Sequence, residues 1–278
     1  MRHLVWFSCG AASAVAAKLA VEKYPDCKVL YCDTLKYEHK DNPRFMRDVE
    51  RWIGKEIVIL GSGKYKDIYD VFERTGWLIG VGGARCTTEL KKNVRKAYQK
   101  DGDVHHFGLT ADEEGRIDKF EDDNPELELE WILRDEGMTK NECYRIVQQA
   151  GIELPMMYKL GYNNNNCIGC PKGQAGYWNK IRVDWPDAFE KMAKQERKMN
   201  VAINKSYATR IELADGTIID NPKQENGKTK RVRIFLDELH PEAGRDVPMP
   251  DIECGVLCVT DTANRQEAEA QFAARLAV

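Results

Sequence analysis

The stretch that decides the fold reads His3-Leu-Val-Trp-Phe-Ser8-Cys-Gly-Ala-Ala-Ser13 and continues as an alanine-rich segment to Tyr24. Its apolar opening, His3–Ser8, is typical of a short buried strand, and Ala11–Tyr24 has the composition of a helix. Between them, small residues let the backbone approach an anion, which free N–H groups and the helix N-terminus can hold. The stretch therefore predicts a strand, an anion-binding loop and a helix, with a tight turn packed with small side chains as the plainer alternative.

Strand-like and helix-like segments continue to alternate through the first half of the chain. We predict strands at Lys28–Asp33, Glu56–Leu60 and Val104–Leu109, and helices at Asn42–Ile53 and Thr87–Gln99. Such alternation is typical of βαβ units, and it predicts an α/β fold in which helices flank a parallel sheet. Ligands of such sheets bind beyond the carboxyl ends of the strands.

The second half has a different pattern. Thr139–Glu142 is a capping-box sequence that opens a helix, and Pro186 suits the first turn of another. Thr209–Asp220 predicts a β-hairpin, Arg231–Leu236 a strand, and the tail from Thr262 a helix. We therefore divide the chain into a nucleotide-binding domain, residues 1–200, and a C-terminal extension, residues 201–278.

Composition excludes several classes of protein. Acidic residues (45) nearly balance basic ones (42), so no global nucleic-acid footprint or acidic tail is indicated. Arg2 and His3 before an apolar run can imitate a signal peptide, but Lys18 and Glu22 arrive too early for one. No apolar run approaches the roughly 18 residues of a membrane-spanning helix. We expect a cytoplasmic protein without a membrane partner, and a homo-oligomer remains open.

Six of the nine cysteines fall into two groups by their sequence context. Without a secretion signal, metal ligation or thiol chemistry is expected rather than a disulfide framework. We interpret four of them as core thiols because their contexts are apolar or helical: Cys9, Cys27, Cys32 and Cys143. By contrast, Cys167-Ile-Gly-Cys170 is a C-x-x-C pair on an asparagine-rich loop, a spacing that lets two thiolates reach one metal or cluster.

The opening loop resembles the PP-loop of the adenine nucleotide alpha hydrolase-like superfamily, whose ATP-pyrophosphatase members read S-G-G-K-D-S. Here Ala11 and Ala12 stand in place of the Lys, which balances phosphate charge, and the Asp, which helps to hold Mg²⁺. The loop is therefore closer to the phosphoadenosine phosphosulfate (PAPS) reductase family. Further segments resemble that family's motifs in its order: Asp33-Thr34, Arg85–Lys92, Gly108–Arg116 and Tyr162–Pro171.

The resemblance implies a nucleotide site and a cofactor. The nucleotide-binding residues would be Ser8, Cys9, Gly10, Ala11, Ser13, Asp33, Thr34, Lys91 and Arg116. Thr110 stands where many members carry an Arg. Cluster-bearing members have a tandem Cys-Cys where this chain has Cys86-Thr87, so one family ligand is missing. A 4Fe–4S cluster would be held by Cys86, Cys167, Cys170 and Cys258, and the alternative is a zinc site of Cys167, Cys170, Cys254 and Cys258.

Glu253-Cys-Gly resembles the C-terminal E-C-G-x-H of sulfonucleotide reductases. In that family the cysteine attacks sulfur and carries a thiosulfonate, which thioredoxin or glutaredoxin then resolves. Cys254 is the matching catalytic position, but the family's His is absent and Leu257-Cys258 follows instead.

Three functions are therefore open for this chain. The first is a reductase acting on a PAPS-like or APS-like sulfonucleotide. The second is a PP-loop sulfurtransferase that modifies tRNA or DNA, and the third is a non-catalytic nucleotide-binding module with a structural metal. The basic run Lys228–Arg233 either touches a polyanion or is a solvated loop.

Overall fold

The computed structural model describes residues 1–80, 83–248 and 252. At its centre lies a five-stranded sheet in which every neighbouring pair is parallel. The first seven strands in chain order are β1 (Arg2–Phe7), β2 (Lys28–Cys32), β3 (Ile57–Leu60), β4 (Ile79–Gly80), β5 (Gly83–Ala84), β6 (Asp103–Phe107) and β7 (Glu128–Glu130). The sheet order is β3-β2-β1-β6-β7, while β4 and β5 pair separately.

Helices cover both faces of the sheet. In chain order the helices of the described residues are α1 (Ala11–Lys23), α2 (Asn42–Ile53), α3 (Ile68–Thr75), α4 (Arg85–Thr87), α5 (Asn93–Tyr98), α6 (Glu114–Asp123), α7 (Ile132–Asp135), α8 (Lys140–Gln149), α9 (Met156–Lys159), α10 (Ala175–Asp184) and α11 (Pro186–Met199). Of these, α3, α10 and α11 pack with the C-terminal elements rather than on the sheet. A π-helical turn, Thr88–Lys92, joins α4 to α5. Short 3₁₀ turns occur at Leu35–Tyr37, Ala111–Glu113 and Leu236–Glu238.

The C-terminal elements form two small antiparallel ladders. Strands β8 (Asn204–Ser206) and β11 (Val232–Ile234) pair with each other, and β9 (Arg210–Glu212) pairs with β10 (Ile218–Asp220). Gly216 has a φ of 83°, which the turn between β9 and β10 requires.

Strand β1 supplies both faces of the core because successive side chains of a strand point to opposite sides. Val5 and Phe7 pack with the alanine face of α1, whereas Leu4 and Trp6 pack with Phe107 on the other side. A third cluster joins the central and C-terminal segments and includes Met157, Trp178, Met192, Ile211 and Leu236.

The strand order changes direction between β1 and β6. Chain connections run from β1 to β2 and β3 on one side and to β6 and β7 on the other. A crevice forms beyond the carboxyl ends of the strands at such a point, and ligands of open α/β sheets bind there. The predicted anion loop directly follows Phe7, the last residue of β1, and therefore lies at this crevice.

The predicted α/β fold with a parallel sheet flanked by helices is confirmed. The capping box at Thr139 and Glu142, the helix from Pro186 and the hairpin around Gly216 are also present. The prediction missed β7, β8, the β4–β5 hairpin and several short helices. The tail from Thr262 and the Cys254/Cys258 segment lie outside the described residues. Within the described part of the chain, no helix combines the length and the apolarity needed to cross a membrane.

Candidate functional site

The anion loop, Ser8–Ser13, is shaped by the hydroxyl of Ser13. Its Oγ accepts hydrogen bonds from the backbone N–H of Ser8 at 3.1 Å and of Gly10 at 3.3 Å, and donates to the Gly10 carbonyl at 2.9 Å. The first helical bond of α1 runs from Ala14 N to Gly10 O at 3.0 Å. The N–H groups of Ala12 and Ser13 precede that bond and have no acceptor within the helix, so they are the donors that an anion can use.

Tyr158 contacts this loop, although the sequence pattern does not predict it. Backbone groups of Ala11 and Asn165 hydrogen-bond to its hydroxyl, and a Cβ on Gly10 would lie 3.1 Å from it. Burial raises the pKa of the phenol, so the group stays neutral. The hydroxyl oxygen thus accepts from the N–H of Ala11 at the helix N-terminus, and an anion bound at the loop would compete for the same N–H.

Gly108 brings β6 against the start of α1. A Cβ at this position would lie 2.6 Å from both Cα and N of Ser13, closer than real Cβ atoms come to backbone. Only glycine allows this approach, and it fixes the anion loop against the β1–β6 crevice.

Cys9 contributes backbone rather than a thiol to the loop. It has a φ of 61°, is fully buried, and its Sγ donates to the carbonyl of Asn42 at 3.6 Å. Burial first, and then the charge of Glu38, raises the pKa of the thiol well above its usual value. The sequence pattern supports two interpretations of Cys9, a core thiol and a loop residue, and the geometry is compatible with both.

A buried chain of polar groups connects three loops of the crevice. The Thr34 hydroxyl donates to Glu38 Oε1 at 2.6 Å, and the Asn42 amide donates to Glu38 Oε2 at 2.6 Å. The amide nitrogen of Asn165 donates to Asn42 Oδ1 at 2.9 Å and to the carbonyl of Cys9 at 2.7 Å. Asn165 lies two residues before Cys167, so this hydrogen bond to Cys9 links the C-x-x-C segment directly to the anion loop.

Two predicted nucleotide-binding residues therefore have internal contacts. Thr34 is buried and uses its hydroxyl within this chain of polar groups. Asp33 is exposed, and its Oδ1 accepts from the N–H of Leu35 at 3.2 Å. Asp33 thus caps the following turn, which was the plainer of its two sequence interpretations, while its exposure leaves the carboxylate accessible to solvent.

Lys91 projects from the π-helical turn, an irregularity found frequently at functional sites. The side chain is buried, and its charge lowers the pKa of both Cys9 and Cys32, although burial outweighs this effect. Lys91 therefore places positive charge near the carboxyl ends of β1 and β2.

Arg116 lies on α6 and pairs with Glu113. Glu113 Oε2 also accepts from the N–H of Thr110 at 3.1 Å and from its hydroxyl at 2.9 Å. Thr110 is fully buried, so a capping interaction occupies the position at which many members of the resembled family have an Arg. The guanidinium of Arg116 is partly exposed and is the cation that this segment offers.

The C-x-x-C segment is a tight turn around the hydroxyl of Tyr177. The hydroxyl donates to the Cys167 carbonyl at 3.0 Å and accepts from the N–H of Cys170 at 2.9 Å. Gly169 has a φ of 75°, a conformation that favours glycine. Both cysteines are buried, and the turn is preorganised by one side chain.

Cys86 is the second residue of α4, which directly follows β5, and it belongs to the same buried cluster as Cys170. The Asn166 amide donates to the carbonyl of Ile252 at 2.8 Å, so the chain passes beside the C-x-x-C turn just before Glu253. Cys254 and Cys258, the predicted nucleophile and fourth ligand, lie outside the described residues.

The four predicted core thiols are buried: Cys9, Cys27, Cys32 and Cys143. Burial raises the pKa of Cys32 to about 11 and that of Cys143 to about 12. These thiols stay protonated at neutral pH, which makes them unsuited to a nucleophilic role.

Among the described residues, one group of three potential metal ligands has its donor atoms within 4.8 Å of one another: His3, His106 and Glu130. His3 Nδ1 lies 2.9 Å from His106 Nε2, and the Glu130 carboxylate accepts from Lys23 at 2.6 Å and from the Tyr24 hydroxyl at 2.8 Å. These hydrogen bonds explain why the three side chains lie together: they link β1, β6 and β7, and no metal is needed to hold them.

Comparisons with known proteins add nothing to this geometry: no protein-family model matches the chain, and no curated protein is significantly similar to it.

Proposed function

We propose that this chain is a sulfonucleotide-reductase-like enzyme that binds an adenine nucleotide at the anion loop and carries out thiol-dependent sulfur chemistry beside it. The observation that carries the proposal is the bond from Asn165 to the Cys9 carbonyl at 2.7 Å, because it brings the C-x-x-C segment to the loop. Lys91 adds buried positive charge near the same strand ends. The strand order supports the proposal by setting the loop at a switch point.

The buried thiols fit a metal or cluster by their donor chemistry. Cys86 and Cys170 share one buried cluster, and Cys167 precedes Cys170 in a preorganised turn. Thiolates favour iron–sulfur clusters and zinc. Cys86, Cys167, Cys170 and Cys258 would hold a 4Fe–4S cluster, with zinc held by Cys167, Cys170, Cys254 and Cys258 as the alternative. A cluster would supply a redox-active centre held by these thiolates.

The proposed reaction has two steps. The thiolate of Cys254 attacks the sulfate sulfur, the bond between that sulfur and the bridging phosphate oxygen breaks, and the nucleotide phosphate leaves. A dithiol reductant, thioredoxin or glutaredoxin, then attacks Sγ of the S-sulfocysteine and releases sulfite. The second thiol of the reductant closes its own disulfide and restores the Cys254 thiol.

The test measures sulfite formed from APS and PAPS with reduced thioredoxin or glutaredoxin, using protein purified anaerobically. Cys254→Ser is expected to abolish sulfite formation, and the core variant Cys27→Ala serves as a matched control that retains it. Iron and zinc analysis with the visible absorption spectrum identifies the metal. Sulfite formation by Cys254→Ser at the unaltered rate would refute the mechanism.

A second candidate, sulfur insertion into tRNA or DNA after adenylation, shares the nucleotide site. The cationic cavity described below favours it because a nucleic acid could bind beside the C-x-x-C turn. Release of pyrophosphate from ATP would support this activity, whereas the Ala11 and Ala12 positions argue against it.

A further inference from the structure

A cavity of about 640 Å³ opens on the side of the C-x-x-C turn that faces the C-terminal strands. Its wall includes Pro171, Lys172 and Gly173, which directly follow Cys170. Strands β8 and β11 supply another part of the wall. The cavity is therefore separate from the anion loop, although both touch the C-x-x-C segment.

Positive charge dominates the described wall of this cavity. Its cationic residues are Lys172, Lys205, Arg231 and Arg233, and no Asp or Glu is among the described residues that line it. From Asn204 to Arg233 the chain carries seven Lys or Arg and four Asp or Glu, although its overall formal charge is −3. The basic run Lys228–Arg233 contributes two of the four cavity cations.

Two of these cations face each other across a strand pair. Arg233 and Lys205 are direct partners in the antiparallel β11–β8 register. Like charges placed directly opposite destabilise a ladder, and a bound anion removes that repulsion. The register therefore places both cations within reach of one anionic ligand.

Asn204 gives an independent indication of a ligand. It lines the cavity and is 4% exposed, and neither polar atom of its side chain has a hydrogen-bond partner. A buried polar atom without a partner costs about 1–3 kcal/mol. Because this amide offers both a donor and an acceptor at a cationic wall, it suits a phosphorylated polar ligand.

One further feature favours a nucleic acid over a bare anion, and a second favours anions in general. Tyr207 lines the cavity and is 55% exposed, so its ring is available for a base to stack on. The N-terminal residues of α10, Ala175 and Gly176, also line the cavity and direct the positive end of the helix dipole at it.

We propose that this cavity binds the phosphodiester backbone of a single-stranded nucleic acid, with a base stacked on Tyr207. The cationic side chains of the wall contact the phosphate groups, and Asn204 supplies a polar contact to the ligand. This inference does not depend on the reductase chemistry.

The test is fluorescence anisotropy of the full chain with labelled oligothymidylate and oligouridylate of about 12 nucleotides. The triple variant Lys205→Gln, Arg231→Gln, Arg233→Gln is expected to bind about tenfold more weakly or worse. It should also lower the slope of log K against log salt by about 2, since each single-strand phosphate contact contributes about 0.7. The matched control, Lys96→Gln, Lys100→Gln, Lys119→Gln, removes the same charge from residues that do not line the cavity.

Three results would overturn the proposal: equal binding by the cavity variant and the wild type, an equal loss in the control, or equal displacement by polyglutamate. Inorganic phosphate as a competitor separates a small-anion site from a nucleic-acid site. Because binding is read without any reductase assay, an oligonucleotide that binds while no sulfite forms separates this inference from the proposed function.

A second variant keeps the test decisive if the triple variant folds poorly. Asn204→Leu removes both unpartnered polar atoms in a side chain of similar volume, so the free protein is expected to be as stable or more stable. Oligonucleotide binding should weaken at the same time. A stabilised variant with unaltered oligonucleotide affinity would assign Asn204 no ligand role and would contradict the proposed wall contact.

Discussion

The anion loop and the cationic cavity lie on two sides of the same C-x-x-C segment, yet they meet their polar requirements in opposite ways. In the loop, the N–H groups of Ser8 and Gly10 point at Ser13, and Ala11 bonds to Tyr158. In the cavity, Lys205 faces Arg233 and the amide of Asn204 has no partner. Side-chain hydroxyls satisfy part of the loop without a ligand, whereas the cavity leaves the Asn204 amide without a partner.

The difference predicts different responses to binding. A ligand at the loop can use the N–H groups of Ala12 and Ser13. To reach those of Ser8, Gly10 and Ala11 it must displace hydroxyl oxygens, so part of its interaction energy is lost to that exchange. A ligand in the cavity satisfies a buried amide that has no partner, so less of its interaction energy is lost to such an exchange. The following experiments probe this contrast.

Acid should affect the sheet beside the loop while sparing the cavity. Burial lowers the pKa of both His105 and His106 to about 4 from the ordinary 6.5. Below pH 6.5 both histidines therefore become protonated in the unfolded chain but stay neutral in the folded chain. The free energy of unfolding falls as the pH drops towards 4. The expected loss by pH 5 is about 2 kcal/mol per histidine.

Urea unfolding across this pH range measures the effect. His105→Gln or His106→Gln should each remove about half of the dependence. Cavity binding should not weaken, because Lys and Arg stay charged. An unaltered pH dependence in both variants would contradict the assignment.

Gly108→Ala tests whether the anion loop is held by close backbone packing. The new Cβ would lie 2.6 Å from backbone atoms of Ser13, so we expect a loss of about 3 kcal/mol in the free energy of unfolding. Gly115→Ala on α6 is the control, since its Cβ meets nothing within 4 Å and the change should be neutral or stabilising by up to about 1 kcal/mol. Equal effects of the two variants would disprove the close approach.

Asn165→Ala tests the connection between the loop and the C-x-x-C turn. It leaves the Cys9 carbonyl and Asn42 Oδ1 without their donor, and about 2 kcal/mol of stability should be lost. The exposed amide variant Asn141→Ala should cost less than about 0.5 kcal/mol. Chemical denaturation compares them, and a neutral Asn165→Ala would show that the connection contributes little.

Tyr158→Phe should give the smallest change in stability and a change of opposite sign in binding. Two backbone groups lose their hydroxyl partner, which should cost about 1 kcal/mol. The N–H of Ala11 becomes available to an anion, so the affinity for AMP in calorimetry should rise. Tyr98→Phe is the control. A weaker affinity in Tyr158→Phe would mean that the hydroxyl contacts the nucleotide itself.

Local pattern was enough to predict much of the fold. The first strand, the loop and the alanine-rich helix are contiguous, and their boundaries agree with the structure within a residue at most ends. Strand β7 has only three residues, Glu128–Glu130, and no alternation long enough to detect. The π-helical turn was also missed, because Thr88–Lys92 has an ordinary helical composition.

The site was predictable only where its residues are close in sequence. Ser13 shapes its own loop, and the C-x-x-C spacing is visible directly. The contacts of Tyr158 and Asn165 with the loop depend on packing across about 150 residues, for which the local sequence holds no signal. The nucleotide and metal roles stay predictions, as do Cys254 and Cys258.

The pairing of β1 with β6 has a consequence for synthesis of the chain. Arg2 and Asp103 form an ion pair across 101 residues, and the strands they belong to are adjacent in the sheet. In a nascent chain, one edge of β1 therefore stays unpaired until β6 has left the ribosome. Leu4 and Trp6, on one face of the strand, lack the packing of Phe107 for the same interval. Translational pausing inside that interval is where we expect aggregation and chaperone dependence to be greatest.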